Sequence, residues 1–78
     1  MMSEADDSAR VPVMLNGTDS FVVRGTTIAR LLDQLGVVSD RVAVEVNLSV
    51  VDRTAYDRTV LREGDRVEIV SFVGGGHG

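Results

Sequence analysis

Hydrophobic and polar residues alternate along the first part of the chain. Val11, Val13 and Leu15 share one face at a spacing of two, as in a strand with one buried side. The pair Asn16-Gly17 is typical of a tight turn, and the returning strand is expected over residues 20–24. The pattern therefore predicts a β-hairpin.

A helical spacing follows after Gly25. Thr26 or Thr27 is expected to supply the N-cap, and Gly36 is placed to end the helix in a left-handed conformation. The apolar residues of one helical face are Ile28, Leu31, Leu32 and Leu35. This stripe predicts a single amphipathic helix whose apolar side chains belong to the core.

Alternation returns in the second half of the chain. Residues 41–47 predict a strand with its valines turned inward, and residues 49–51 a short edge strand. Residues 52–59 are polar and irregular, with a turn of helix expected around Ala55 and Tyr56, and Val60 and Leu61 are expected to fill the core beneath them. The three residues 63–65, Glu-Gly-Asp, predict a turn into the last strand.

The last strand runs directly into glycines. Val67, Ile69, Ser71 and Val73 are predicted to share one face of this strand, and Glu68, Val70 and Phe72 the other. Residues 74–78 then read Gly-Gly-Gly-His-Gly. Because glycine lacks a Cβ, such a tail can thread a narrow channel and bring its terminal carboxylate to another protein's active site. The alternative is an inert, disordered end.

This order of elements predicts an α+β domain in which one helix packs across one sheet. Residues 1–10 are polar and acidic and are interpreted as a disordered leader. The domain is expected over residues 11–73, and residues 74–78 are expected to form a flexible glycine-rich tail.

Composition excludes several classes of protein. The chain has 78 residues, a net charge of −4 and no cysteine. One small domain is expected, and the acidic balance argues against nucleic acid as a partner. Without cysteine there is no thiolate nucleophile, disulfide or cysteine-ligated metal. No signal peptide or membrane span is visible, and a reducing cytoplasm fits this composition.

Side chains suited to catalysis do not cluster in the sequence. His77 is the single histidine and stands alone on the predicted tail. Asp40, Asp52, Asp57 and Asp65 fall in turns or on the surface without a second acid expected to face them. We therefore expect no catalytic residue, no bound cofactor and no metal site, and we do not expect an enzyme.

Several stretches, in this order, carry a resemblance to a known family: Leu15-Asn16-Gly17, the helix from Thr27 to Gly36, Val44-Glu45-Val46-Asn47, Val50-Val51-x-Arg53-x-x-Tyr56, Gly64-Asp65-x-Val67-Glu68-Ile69-Val70 and Phe72-Val73-Gly74-Gly75-Gly76. Single stretches are weak signals, but the ordered set with its ending is specific. Over about residues 13–76 the chain resembles the ThiS family, the bacterial sulfur carriers of thiamine biosynthesis. The resemblance implies a ubiquitin-like β-grasp, a mixed sheet of four to five strands with one helix packed across it.

The family's chemistry is what the resemblance implies for the tail. A ThiF-like adenylating enzyme would join the terminal glycine carboxylate to AMP with ATP and Mg²⁺ that the partner binds. Sulfur from a cysteine desulfurase would convert the adenylate to a thiocarboxylate, which a ThiG-like thiazole synthase would consume. Gly76 is the equivalent glycine, with Gly74 and Gly75 before it. Since His77 and Gly78 follow, either these two residues are removed first or Gly78 is used directly.

Val70 and Phe72 are the candidate docking residues next to the tail. Ordering each glycine-rich residue in a channel costs about 1–2 kcal/mol, whereas burying a phenylalanine and a valine contributes roughly 3–6 kcal/mol. An apolar patch would therefore supply the binding energy that the tail lacks. The alternative is that residues 52–59 cover both side chains. Arg53 and Tyr56 also match family positions, as an exposed arginine and a half-buried tyrosine.

Two other functions remain open beside the thiamine sulfur carrier. A molybdopterin-synthase small subunit has the same fold and the same glycine end, and a ubiquitin-like binding module would have an inert tail. The Phe-Val-Gly-Gly-Gly ending and the strand Val44-Glu45-Val46-Asn47 favour the thiamine branch.

Overall fold

A computed structural model describes residues 9–72 of the chain. The predictions for the leader before residue 9 and for the tail from Val73 onward, including Gly74, Gly75, Gly76, His77 and Gly78, lie outside the described residues. The strands are β1 (Arg10–Leu15), β2 (Thr18–Val23), β3 (Val42–Val46), β4 (Ser49–Val51) and β5 (Arg66–Ser71), and the helix is α1 (Ile28–Gln34). Short 3-10 turns cover Ser39–Arg41 and Arg53–Ala55.

The strands form one mixed sheet, as predicted. Their order is β2-β1-β5-β3-β4, so the last strand in sequence is the central one in space. β1 and β5 run parallel, with Leu15 beside Val67, while the other neighbours are antiparallel. This arrangement places the strand that leads to the glycine tail between two hairpins.

The first turn shows why Asn16-Gly17 was a reliable signal. Asn16 has φ 48° and Gly17 φ 83°, so both central residues of the turn are left-handed. Such a turn matches the twist of the two strands that it joins. The predicted hairpin is confirmed, with β1 beginning at Arg10, one residue earlier than expected.

Both ends of the helix are also as predicted. The Thr27 side chain accepts a hydrogen bond from the Arg30 N–H at 3.2 Å, which makes Thr27 the N-cap. Gly36 has φ 72°, and its N–H donates to the Asp33 carbonyl at 3.1 Å. The Val37 N–H donates to the Leu32 carbonyl at 2.9 Å, which completes a Schellman motif.

The core lies between α1 and the inner face of the sheet. Aliphatic side chains and one tyrosine fill it: Val11, Val13, Val22, Ile28, Leu31, Leu32, Val42, Val44, Tyr56, Leu61 and Val67. Tyr56 is 5% exposed and therefore buried, not half-buried as expected. The Ala29 N–H donates to the Tyr56 carbonyl at 2.9 Å, so the segment after β4 closes over the helix.

Two residues predicted for the core are exposed. Leu35 is 46% exposed, because it is the C-cap residue at the end of α1, where an open cleft separates the helix from the sheet. Val60 is also exposed, because it forms an extended bridge with Thr27 in which successive side chains point to opposite sides. Leu61 takes the inward position of that pair, as predicted.

Candidate functional site

The outer face of β5 carries an exposed apolar patch at the end of the described chain. Val70 is 53% and Phe72 55% exposed, and Ala43 lies beside Val70 in the adjacent strand. We call Ala43, Val70 and Phe72 the terminal patch. Residues 52–59 leave both large side chains exposed, so the alternative in which that segment covers them is wrong.

Backbone pairing holds the terminal patch in place. The Phe72 N–H donates to the Arg41 carbonyl at 2.8 Å, so pairing with the β3 side continues to the last described residue. On the other side of β5, the Asn16 side chain accepts a hydrogen bond from the Ile69 N–H at 2.8 Å. The strand therefore stays anchored beyond the point where β1 ends. Sequence analysis found the turn at Asn16 but not this second role.

Two glutamates face each other next to the terminal patch. Glu45 and Glu68 are direct cross-strand partners on the outer face. Like charges in this position oppose each other and destabilise a sheet. Within residues 9–72, Arg53 with Asp40 is the ion pair found, at 2.8 Å, so neither glutamate forms an ion pair there. The outer face therefore combines apolar side chains with two unpaired carboxylates, and Arg66 lies on the same face two residues before Glu68.

The inner face at the same end of β5 is also open. A cleft of about 440 Å³ lies between the end of α1 and the sheet. It is lined by Leu15, Asn16, Leu35, Val37, Val42, Ile69 and Ser71. The end of β5 therefore has accessible apolar surface on both faces of the sheet. Leu35 belongs to this surface on the inner face and not to the buried core.

Sequence analysis missed several exposed apolar residues, among them Phe21, Leu48 and Val50. Phe21 is 65% exposed on the edge strand β2, with the Arg10 guanidinium 5.6 Å from its ring centre. Leu48 and Val50 are exposed on the β3–β4 hairpin. The signal for Leu48 was present in the sequence, because it follows Asn47 between two predicted strands and so had to lie in a turn. Arg53 is exposed as expected, whereas the buried Tyr56 offers little surface to a partner.

The described residues show no constellation for chemistry. Among residues 9–72, no three His, Cys, Asp or Glu side chains come close enough together to hold a metal ion. No helix in that part of the chain is both long and apolar enough to cross a bilayer. The feature that this region offers to other molecules is its apolar and acidic surface.

The mixed sheet crossed by a single helix defines a ubiquitin-like β-grasp domain, and its last strand ends in an exposed apolar patch. The chain matches the model of the ThiS family over residues 13–76, and it belongs to that family. The fold and family predicted from the sequence are both confirmed.

A solved structure agrees with this assignment. The crystal structure of the thiamine biosynthesis protein ThiS from Geobacter metallireducens has a TM-score of 0.73 and 36% sequence identity, covering 85% of this chain and 100% of that one.

Two curated relatives are larger proteins. A thiazole synthase from Paramagnetospirillum magneticum is 41% identical over 64 residues, and one from Magnetococcus marinus is 45% identical over 64 residues. Each match covers 82% of this chain but 20% of the relative. The chain therefore spans about a fifth of the length of these two proteins, which carry a similar region within a longer polypeptide.

Proposed function

We propose that this chain is a sulfur carrier for the formation of the thiazole of thiamine. The observation that carries the proposal is the terminal patch, an exposed apolar surface on the last strand directly before the glycine tail. Membership of the ThiS family supports the same function. A carrier with few tail side chains needs such a surface, because its glycines contribute almost no apolar contact to a partner.

The terminal glycine carboxylate would be the reacting group. Its oxygen attacks the α-phosphorus of ATP, pyrophosphate leaves, and an acyl-adenylate forms. A cysteine desulfurase provides sulfur as a persulfide, and a thiol reductant releases it as sulfide. The sulfide attacks the acyl carbon, AMP leaves, and the product is a thiocarboxylate. Charge stabilisation in the first step requires cations, and the adenylating partner is proposed to supply them with its own bound Mg²⁺.

Thiazole synthase is the proposed acceptor of the sulfur. Two proteins with that name contain a region similar to this chain. In those polypeptides the carrier-like region is covalently joined to the remaining four-fifths of the protein. This arrangement supports an interaction between a carrier of this family and a synthase.

Incubation with candidate partners tests the proposal. The protein is mixed with an adenylating enzyme from the same genome, MgATP, cysteine, a cysteine desulfurase and a thiol reductant, and its intact mass is measured. We expect one terminal oxygen to be replaced by sulfur. An unchanged mass with an active adenylating enzyme would favour the inert binding module. A second experiment expresses the protein in a thiamine auxotroph and in a molybdenum-cofactor auxotroph. The strain whose growth is restored shows which of the two carrier functions the protein has.

Phe72→Ala is expected to weaken binding to the adenylating enzyme at least tenfold, about 1.4 kcal/mol. Phe72 is more than half exposed, so its loss removes apolar contact area from the complex with little effect on the core. Isothermal titration calorimetry measures the affinity, and thermal unfolding measures the stability.

Phe21→Ala is the matched control for this prediction. It makes the same substitution at a similarly exposed position on β2, which β1 separates from β5. We expect its affinity to stay within twofold of the unmodified protein. Equal losses in both variants, or a loss of stability in Phe72→Ala with unchanged affinity, would contradict the docking role of the terminal patch.

The two residues after Gly76 lead to a separate prediction. With His77 and Gly78 attached, the Gly76 carboxylate is part of a peptide bond and cannot be adenylated. We expect His77 and Gly78 to be removed before activation, so that the thiocarboxylate forms on Gly76. Intact mass of material activated with its native partners decides this. A thiocarboxylate on the full 78-residue chain would move the reacting carboxylate to Gly78.

A further inference from the structure

The turn between β3 and β4 contains a leucine in an unfavourable backbone conformation. Asn47 has φ 54° and Leu48 φ 73°, so both residues are left-handed. Asparagine adopts this conformation readily, but at the second position of such a turn glycine is strongly favoured. A leucine there is strained, and glycine or asparagine would suit the fold better.

Leu48 also gains little from burial. At 83% exposed, it is the most exposed of the large apolar side chains among residues 9–72. A strained residue that remains in water does not stabilise its own domain. Residues held in sparsely populated conformations concentrate at functional sites, and this combination of strain and exposure points to a contact with another molecule.

The turn presents Leu48 on a rigid base. The Asn47 side chain donates to Asp65 Oδ1 at 3.0 Å and accepts from the Arg66 N–H at 3.0 Å. The Asn47 N–H donates to the Arg66 carbonyl at 2.8 Å. These bonds fix the hairpin tip, Asn47 and Leu48 between β3 and β4, to the start of β5. Little backbone conformational entropy is therefore lost when the Leu48 side chain enters a pocket.

The hairpin tip and the terminal patch lie at opposite ends of the β5–β3 pair. From Arg66, next to the tip, β5 and the residue after it extend to Phe72, next to the tail, over about 20 Å at the rise of a strand. Glu45, Glu68 and the exposed Val50 lie between them. The tip and the terminal patch each expose apolar side chains, and the two glutamates lie between them, with Arg66 beside the tip. A standard protein interface is large enough to cover this distance.

We propose that Leu48 is a second docking anchor, which inserts into an apolar pocket of thiazole synthase while a basic patch of the synthase faces Glu45 and Glu68. This inference rests on the proposed function and extends it to a second contact point. Charge complementarity favours a basic partner surface, because neither glutamate forms an ion pair with a described residue and Arg66 supplies one positive charge beside two negative ones. The synthase is chosen because relatives of that name contain a region similar to this chain.

Leu48→Gly and Leu48→Asn separate the effect on the partner from the effect on the fold. Both replacements tolerate a left-handed backbone and remove the apolar side chain. We expect a Tm equal to or above that of the unmodified protein, together with at least tenfold weaker binding to the thiazole synthase of the same genome. The probe is the full-length purified synthase, and the affinity is measured by calorimetry at two salt concentrations.

Glu45→Gln tests the charge contribution in the same assay. We expect it to weaken binding at the lower salt concentration and to reduce the dependence of the affinity on salt. Val23→Ala, at an exposed valine on the edge strand β2, which β1 separates from β5, is expected to leave the affinity unchanged.

The outcomes distinguish the inference from the proposed function. If Phe72→Ala weakens synthase binding while both Leu48 variants bind normally, the second anchor is wrong and the carrier function stands. If the Leu48 variants lose affinity for the adenylating enzyme and keep it for the synthase, the assigned occupant is wrong. If the unmodified protein binds neither enzyme, the proposed function fails as well.

Discussion

A chain that lacks Gly75 to Gly78 is expected to lose sulfur transfer completely and to remain folded. The proposed chemistry takes place on a glycine carboxylate after the last strand, and this deletion removes the candidate carboxylates at Gly76 and Gly78. A terminus at Gly74 would lie closer to the domain and reach less far into a partner's active site. The measurement is thiocarboxylate formation by intact mass with the adenylating enzyme and sulfur donor.

The deletion is expected to leave the fold intact because residues 9–72 already form a packed core. Among these described residues, the last member of the buried cluster is Val67. A change in unfolding free energy below about 1 kcal/mol is expected, as for other surface changes. A larger loss would show that the tail supports the domain. A chain that lacks only His77 and Gly78 is the matched control, and we expect it to be activated normally.

Leu32→Ala is expected to destabilise the domain by about 2–5 kcal/mol, the range for a large-to-small change in a packed core. Leu32 is 1% exposed and lies between α1 and the sheet. Because small domains have a total stability of about 5 kcal/mol or little more, this single change is expected to leave a substantial fraction of molecules unfolded at 37 °C. Chemical denaturation, followed by circular dichroism, measures the effect.

Leu35→Ala provides the control on the same helix with the same substitution. Its side chain is nearly half exposed at the C-cap, so the expected loss is below about 1 kcal/mol. Similar losses for the two leucines would mean that the cleft beside Leu35 stabilises the domain as strongly as the core does, and the structural distinction between them would be wrong.

The helix shows how far periodicity can predict structure. The spacing of Ile28, Leu31 and Leu32 identified the buried face correctly, because a helical repeat holds wherever the helix continues. Gly36 also marked the end of the helix correctly, since its left-handed conformation suits few other residues. Leu35 was assigned to the core because spacing alone does not show where the sheet beneath the helix ends.

Residues outside regular elements were harder to place. Val60 and Leu61 are adjacent and similar in size, and only the bridge to Thr27 determines which one points inward. Tyr56 was expected to be half-buried, because its segment is polar and irregular in sequence. Its burial depends on the contact with α1, which is a tertiary effect without a local signal.

The candidate docking site was predictable in its position but not in its extent. Alternation along the last strand placed Val70 and Phe72 on the face away from the helix, and their exposure agrees with that prediction. Glu45 and Glu68 are cross-strand partners because of the register between β3 and β5, and a single sequence does not provide that register. The strain at Leu48 likewise required backbone angles.

The central position of β5 has a consequence for how the protein is made. The hairpins β1–β2 and β3–β4 are joined in the sheet only through β5, which pairs with β1 on one side and with β3 on the other. Before β5 is synthesised, the two hairpins therefore cannot form one sheet. Closure requires contacts as distant as that of Asn16 with Ile69, 53 positions apart, which makes folding slow relative to a helical domain of this size. The strand that leads to the glycine end is therefore also the strand that completes folding. A nascent chain interrupted before β5 would be unfolded and open to proteolysis, so the ribosome releases a stable domain only together with the segment that leads to its tail.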